Sequence, residues 1–173
     1  MTMGTTEEAT ASDDSASAEG AGLPESDTVV CWASVRSRLR MGVLRESVKD
    51  GAQIVQKLSS PRDDQKWRLV VVGEENGEVL YKIENVGSGK ALEIPGATSE
   101  SGAIPAQRDY EGDDAHHQQW RLVRVGAGIP AAYEIANRNS GLLLQSDSNN
   151  SQVIKQSGAE GDERDRQWHL FLP

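Results

Sequence analysis

Side chains able to carry catalytic chemistry are few and scattered. His116 and His117 are neighbours, so on a loop their rings splay apart, and His169 follows a tryptophan at an outward strand position. Cys31 is the only cysteine, which rules out an intrachain disulfide and leaves any zinc set incomplete. No G-x-x-x-x-G-K-[ST] loop is present to cradle a phosphate. The chain is therefore expected to be no enzyme and to use no cofactor or metal. Asn149, Asn150 and Ser151 spell a glycosylation sequon, which carries no weight without a secretory signal.

Another kind of chemistry does recur. DDQKWRLV (63–70), HHQQWRLV (116–123) and RDRQWHLF (164–171) put three of the four tryptophans in nearly the same octapeptide. Trp67 and Trp120 are 53 residues apart, Trp120 and Trp168 48 apart, a period that marks structural repeats. An amide donates and accepts at once, so Gln65 and Gln118, two residues before their tryptophans, suit holding loop backbone. Each indole can bury roughly 150–250 Å². The octapeptide thus reads as a lock between core and loop, with Trp67, Trp120 and Trp168 at equivalent core positions.

The elements that carry these locks can be read around them. Y-x-I-x-N…S-G…L occurs twice, with Tyr81, Ile83, Gly89 and Leu92 matched by Tyr133, Ile135, Gly141 and Leu144. A worn first copy aligns Val30, Trp32, Val35, Met41 and Val43 with Tyr81, Ile83, Val86, Leu92 and Ile94. GAQIVQ (51–56), GAIPAQ (102–107) and SQVIKQ (151–156) also correspond. Alternation at period two, bounded by SG, PG and DD clusters, predicts about four short strands per unit, such as YKIEN, KALEI, AIPAQ and QWRLV. The longest helical candidate, about 43–58, is broken by Gly51. One such unit cannot bury its own apolar face. Three can close a barrel and remove the strand edges, so the expected fold is an all-β β-trefoil with repeats at about 30–73, 81–125 and 133–173.

Residues 1–27 hold seven acids, no Lys or Arg and no aromatics. That composition predicts a disordered acidic N-terminal tail ahead of a folded domain at 28–173. The domain balances 20 acids against 18 bases and shows no basic run, which argues against nucleic acid as a partner. No stretch approaches the roughly 18 apolar residues of a membrane span, so no membrane insertion is expected. The absence of a signal peptide points to the cytoplasm, with secretion by a non-classical route left open.

The Q-x-W motifs and the upstream Y-x-I-x-N-x-x-S-G-x-x-L resemble the ricin-type (R-type) β-trefoil lectin family over residues 30–173. The resemblance implies a non-catalytic module binding galactose-like or other saccharides, with up to three shallow pockets, one per repeat. In such a pocket an aromatic ring stacks on the sugar and a carboxylate accepts its hydroxyls. The family pattern places the carboxylate after the Leu of the second strand. It places the aromatic two residues after the third-strand Gln, and an Asn three before the Trp. In the second repeat these become Glu93 for the carboxylate and His117 for the Asn, with Gln118 beside it. Asp109 holds the aromatic position and Tyr110 follows it, usable as a platform only if the strand has ended or bulged there. The first repeat offers Gly42, Leu58 and Asp64, and the third Gln145, Gly158 and Asp165, with Arg166 in place of the motif Gln. Sugar binding is thus expected at Glu93, Tyr110, His117 and Gln118 alone. A shallow pocket of this kind binds at about millimolar strength. The alternative is a degenerate trefoil serving as a scaffold for a protein partner.

Overall fold

The computed structural model describes residues 22–147, 152–158 and 161–173. Among them the period-two segments form twelve strands, namely β1 (Thr28–Ser34), β2 (Arg40–Val43), β3 (Ile54–Lys57), β4 (Trp67–Glu75), β5 (Glu78–Asn85), β6 (Ala91–Glu93), β7 (Ala106–Arg108), β8 (Trp120–Val125), β9 (Ala132–Asn137), β10 (Leu143–Ser146), β11 (Ile154–Ser157) and β12 (Trp168–Phe171). Five 3₁₀ turns of three or four residues join them, and no α-helix occurs among the described residues. The 43–58 stretch is the end of β2, the 3₁₀ turn Leu44–Glu46 and β3, with a turn at Gly51 whose φ of 84° suits glycine.

Six strands pair antiparallel into a closed ring: β1 with β4 and β12, β4 with β5, β5 with β8, β8 with β9, and β9 with β12. The remaining strands form the hairpins β2–β3, β6–β7 and β10–β11. Bridges at Gln53–Ala106 and Val55–Val153 join these hairpins to one another. The architecture is a β-trefoil of three four-stranded repeats. β4 and β5 run past the barrel to a two-residue turn, Asn76 and Gly77, with φ of 55° and 82°. The two left-handed residues of that turn match the twist of a tight hairpin. Residues 74–80 are therefore mostly strand rather than a linker between repeats.

Trp67, Trp120 and Trp168 have no exposed surface. Each indole N–H donates over 3.0 Å to a hairpin carbonyl, of Met41, Leu92 and Leu144 respectively. One atom thereby ties each hairpin to its barrel strand and satisfies the only polar group on the ring. The first repeat is worn in a compensated way. Where the others have Tyr-x-Ile it has Val30 and Trp32, all fully buried, and Trp32 packs edge-on to Tyr133 at 6.0 Å. A smaller residue beside a larger one keeps core volume roughly constant.

The tail boundary moves. Residues 1–21 of the expected acidic tail lie outside the described residues, while Gly22–Asp27 lies against the barrel as a strap. Tyr133 Oη donates to the carbonyl of Gly22, and Tyr81 Oη donates to that of Pro24 at 2.6 Å. Leu23 packs on the core, and the Asp27 amide reaches Leu69 O at 2.6 Å. The two repeat-motif tyrosines are thus latches as well as core. Burial pushes the Tyr81 hydroxyl up to about 12 and raises that of Tyr133.

Candidate functional site

The loop face is built by the residues just before each tryptophan. Asp63–Gln65, His116–Gln118 and Glu163–Arg166 fold as 3₁₀ turns. Gln65 Nε2 donates to Leu58 O at 2.9 Å while its Oε1 accepts from the Ser60 amide at 2.9 Å. Gln118 repeats this with Asp109 O at 3.0 Å and the Glu111 amide at 2.7 Å. The third repeat has Arg166 at this place, which donates to Gly161 O at 3.5 Å. These amides hold the segment after the third strand in a set position. Gln118 is fully buried and committed on both sides to the loop backbone.

Three of the four residues expected at the second-repeat pocket converge. Glu93 ends β6 and is 1% exposed. Its Oε2 accepts from Arg108 Nε at 3.1 Å, and its Oε1 lies 3.4 Å from Gln118 Nε2 and 3.5 Å from His117 Nε2. His117 also stands 3.6 Å from Glu111 Oε1, whereas His116 lies toward Glu75 and adds to the charges lowering its carboxyl. β7 ends at Arg108, so the strand has stopped before Tyr110 and the register objection to that residue falls away. The ring is fixed by other contacts: its hydroxyl accepts from Gln119 Nε2 at 2.9 Å, and Lys82 Nζ lies 5.1 Å from its centroid.

In the first repeat the acid has changed position. A Cβ built on Gly42 would fall 2.9 Å from Asp64 Oδ2, so the carboxylate from the turn fills the space that Gly42 leaves open. Asp64 Oδ2 accepts from Lys57 Nζ at 2.7 Å and from the Val43 amide at 3.2 Å, and the residue is 5% exposed. Lys57 and Arg108 are equivalent, each following the third-strand Gln. Both repeats therefore set a buried acid against a third-strand cation, but the acid comes from different elements. Beside Asp64 an open groove of about 760 Å³ runs past Arg45, Lys57, Leu58 and Arg62. Leu58, at the aromatic position, is 80% exposed. The third repeat keeps Gln145 and Asp165 buried; the sequon at 149–151 lies outside the described residues.

A family model described as ricin-type β-trefoil lectin domain-like matches residues 63–159. The chain belongs to this family. Among solved structures, the lectin-like trefoil is similar to ThreeFoil, a designed threefold-symmetric protein, at 32% identity and a TM-score of 0.71, over 83% of this chain and 97% of that one. An exo-β-1,3-galactanase from Clostridium thermocellum matches at 30% identity and a TM-score of 0.72, over 84% of this chain but only 30% of the enzyme. A ricin B-like lectin from Macrolepiota procera, solved with lactose, shares the fold at 15% identity and a TM-score of 0.66, over 87% of this chain and 99% of that one. No curated protein matches the chain significantly.

One set of residues in the lectin-like trefoil escaped the sequence reading. Gln56, Gln107 and Gln156, the last residues of the aligned GAQIVQ-type segments, form a ring. Gln107 Nε2 donates to Ser47 O and Lys49 O of the first repeat at 2.9 and 3.0 Å. Gln156 reaches Thr98 O and Glu100 O of the second at 3.1 and 2.8 Å, and Gln56 reaches Asp147 O and Val153 O of the third at 3.3 and 3.4 Å. Each Oε1 accepts from a serine of its own repeat: Ser37, Ser88 and Ser140, at 2.7, 2.8 and 2.9 Å. The recurrence of Gln at one place in all three segments was the available signal. Among the described residues no cluster of His, Cys, Asp or Glu could hold a metal.

Proposed function

We propose that the chain is a non-catalytic saccharide-binding module that takes the hydroxyls of a galactose-like sugar at the second repeat, between Glu93, Tyr110 and His117. The observation that carries this reading is the convergence of His117, Gln118 and Arg108 on the Glu93 carboxylate within 3.1–3.5 Å. Such a carboxylate is held in one place and keeps acceptor capacity beyond these donors. The Tyr110 ring, fixed by Gln119, supplies a flat apolar surface beyond the end of β7. The lactose complex of the Macrolepiota procera lectin makes lactose a sensible first probe. Titration of the full chain with galactose and lactose is expected to give a dissociation constant of about millimolar order, weakened tenfold or more in Glu93→Gln. Silence across a glycan array ends the reading.

A second reading, a scaffold for a protein partner, is favoured by one observation: at 1% exposure the Glu93 carboxylate must be uncovered before a ligand reaches it. Under that reading, capture experiments return a protein and no sugar competes.

A further inference from the structure

We propose that the first repeat presents a cationic docking face whose occupant is the acidic segment of the same chain, residues 1–21, drawn along the groove past Arg45, Lys57 and Arg62. The contact is one of charge between two parts of one chain and stands apart from the saccharide reading.

Three observations carry it. The near-neutral domain is divided unevenly: residues 28–73 hold nine Lys or Arg against four Asp or Glu, whereas residues 74–173 hold nine against sixteen. The first repeat is thus the cationic third of a molecule that is otherwise negative. Second, two of its arginines stand where the second repeat uses glycine. In the repeat alignment Arg38 matches Gly89 and Arg45 matches Gly96, and all four take a left-handed φ, of 68°, 73°, 56° and 68° respectively. A Cβ is disfavoured in that conformation, so the backbone is strained at both turns to put a cation in place. An outlier of this kind points to a use for the side chain. Third, both arginines are exposed, and the ion pairs on this face, Arg36–Asp162, Lys57–Asp64 and Arg62–Glu46, leave neither with an acidic partner among the described residues. Arg45 lines the open groove of about 760 Å³ with Lys57, Leu58 and Arg62, and Arg38 adjoins Leu39, which lines it too.

Residues 1–21 fit this face in sign, length and attachment. They hold five acids, Glu7, Glu8, Asp13, Asp14 and Glu19, and no Lys or Arg. Fully extended, such a segment reaches up to about 70 Å at roughly 3.3 Å per residue, while a folded domain of this size is about 40 Å across. Gly22, where the strap begins, is held by Tyr133, so the segment is tethered to the barrel with the whole groove inside its span. A tether of this length sets an effective concentration of about millimolar order, and a weak contact is then enough. Exposed ion pairs are individually weak. The negative charge of the second and third repeats repels the segment, which steers it to the first repeat, where several pairs can form at once. Lys57 and Arg62 already engage Asp64 and Glu46, which leaves Arg38 and Arg45 as the main anchors.

The experiment is backbone amide NMR on the full chain. It compares the wild type with a neutralised variant carrying Glu7→Gln, Glu8→Gln, Asp13→Asn, Asp14→Asn and Glu19→Gln. Expected at low salt are shift differences at the amides of Arg45, Leu58, Ser60 and Arg62. They should fade in 1 M salt, where the screening length falls to about 3 Å. The same differences should be lost when Arg38→Gly and Arg45→Gly are present in both proteins. Those two changes put at each turn the residue that the second repeat uses there, so they leave the fold alone. A synthetic peptide of residues 1–21 added separately should bind the neutralised variant about tenfold more tightly than the wild type, where the tethered copy competes. Differences confined to residues beside Gly22, or undiminished in 1 M salt, overturn the contact. Equal affinity of the peptide for both proteins overturns the choice of occupant and assigns the face to a separate acidic protein. Neither result touches the saccharide reading, which is decided by lactose and not by this peptide.

Discussion

Replacing Gln107 with leucine tests whether the glutamine ring holds the repeats together. The change keeps side-chain volume but removes three hydrogen bonds, to Ser47 O, Lys49 O and Ser88 Oγ at 2.9, 3.0 and 2.8 Å. At about 0.5–1.5 kcal/mol per bond the cost is roughly 1.5–4.5 kcal/mol. The lower half of that range is expected, because Lys49 is exposed and its carbonyl can bind water once released. For a domain of this size each kcal/mol moves Tm by about 2–4 °C, so scanning calorimetry should register a fall of roughly 4–10 °C. The three positions should also rank. Gln56 has the longest inter-repeat bonds, 3.3 and 3.4 Å, so Gln56→Leu should cost least, while Gln156→Leu, with bonds of 3.1 and 2.8 Å, should approach Gln107→Leu. A Tm change below about 1 °C at Gln107, or a reversed order with Gln56 the most damaging, refutes the argument.

Other consequences can be checked on the same material. Trp120→Phe orphans the Leu92 carbonyl and leaves a void, costing about 2–4 kcal/mol in urea unfolding; a neutral result contradicts the clamp. Tyr81→Phe removes the donor to Pro24 O at 2.6 Å and should cost about 0.5–1.5 kcal/mol while speeding proteolysis near residues 22–27, as mass spectrometry would reveal. The Tyr81 hydroxyl is raised in the folded protein to about 12, so its stabilisation is whole below about pH 10 and lost as pH climbs toward 12. Leu23→Ala, which loosens the strap over that hydroxyl, should bring it back toward its ordinary value and so flatten the fall in stability between about pH 10 and 12, and a slope unchanged from wild type counts against the latch.

How far the molecule was legible depends on what kind of signal each part leaves. Three tryptophan octapeptides at near-equal spacing, two of them Q-x-W and the third with Arg166 in place of the Gln, reveal the trefoil because each indole must return to one kind of core position. The octapeptide also places Gln65 and Gln118 correctly as loop locks, since an amide two residues before a buried ring has little else to reach. Asp64 stands at the amide position of the family pattern, which asks for its acid at a strand position that here holds Gly42. Only coordinates reveal that a missing Cβ lets a turn residue fill the same space. The tail was assigned through residue 27 on composition alone; Leu23 and two tyrosine hydroxyls decide otherwise at its last six residues. Glu93 was found by position, but its cover of Arg108 and His117 arises from two separate elements converging in space.

The glutamine ring has no first or last member. Gln107 leans on the first repeat, Gln156 on the second, and Gln56 on the third, while β1 and β12 lie side by side with Cys31 opposite Phe171. Chain ends are therefore incidental to the closure. A gene re-cut between any two repeats, with the old ends bridged by a short linker, should rebuild the same three-cornered body. Duplication of a single ancestral unit and later drift of each copy are compatible with a shape that depends on cyclic order alone.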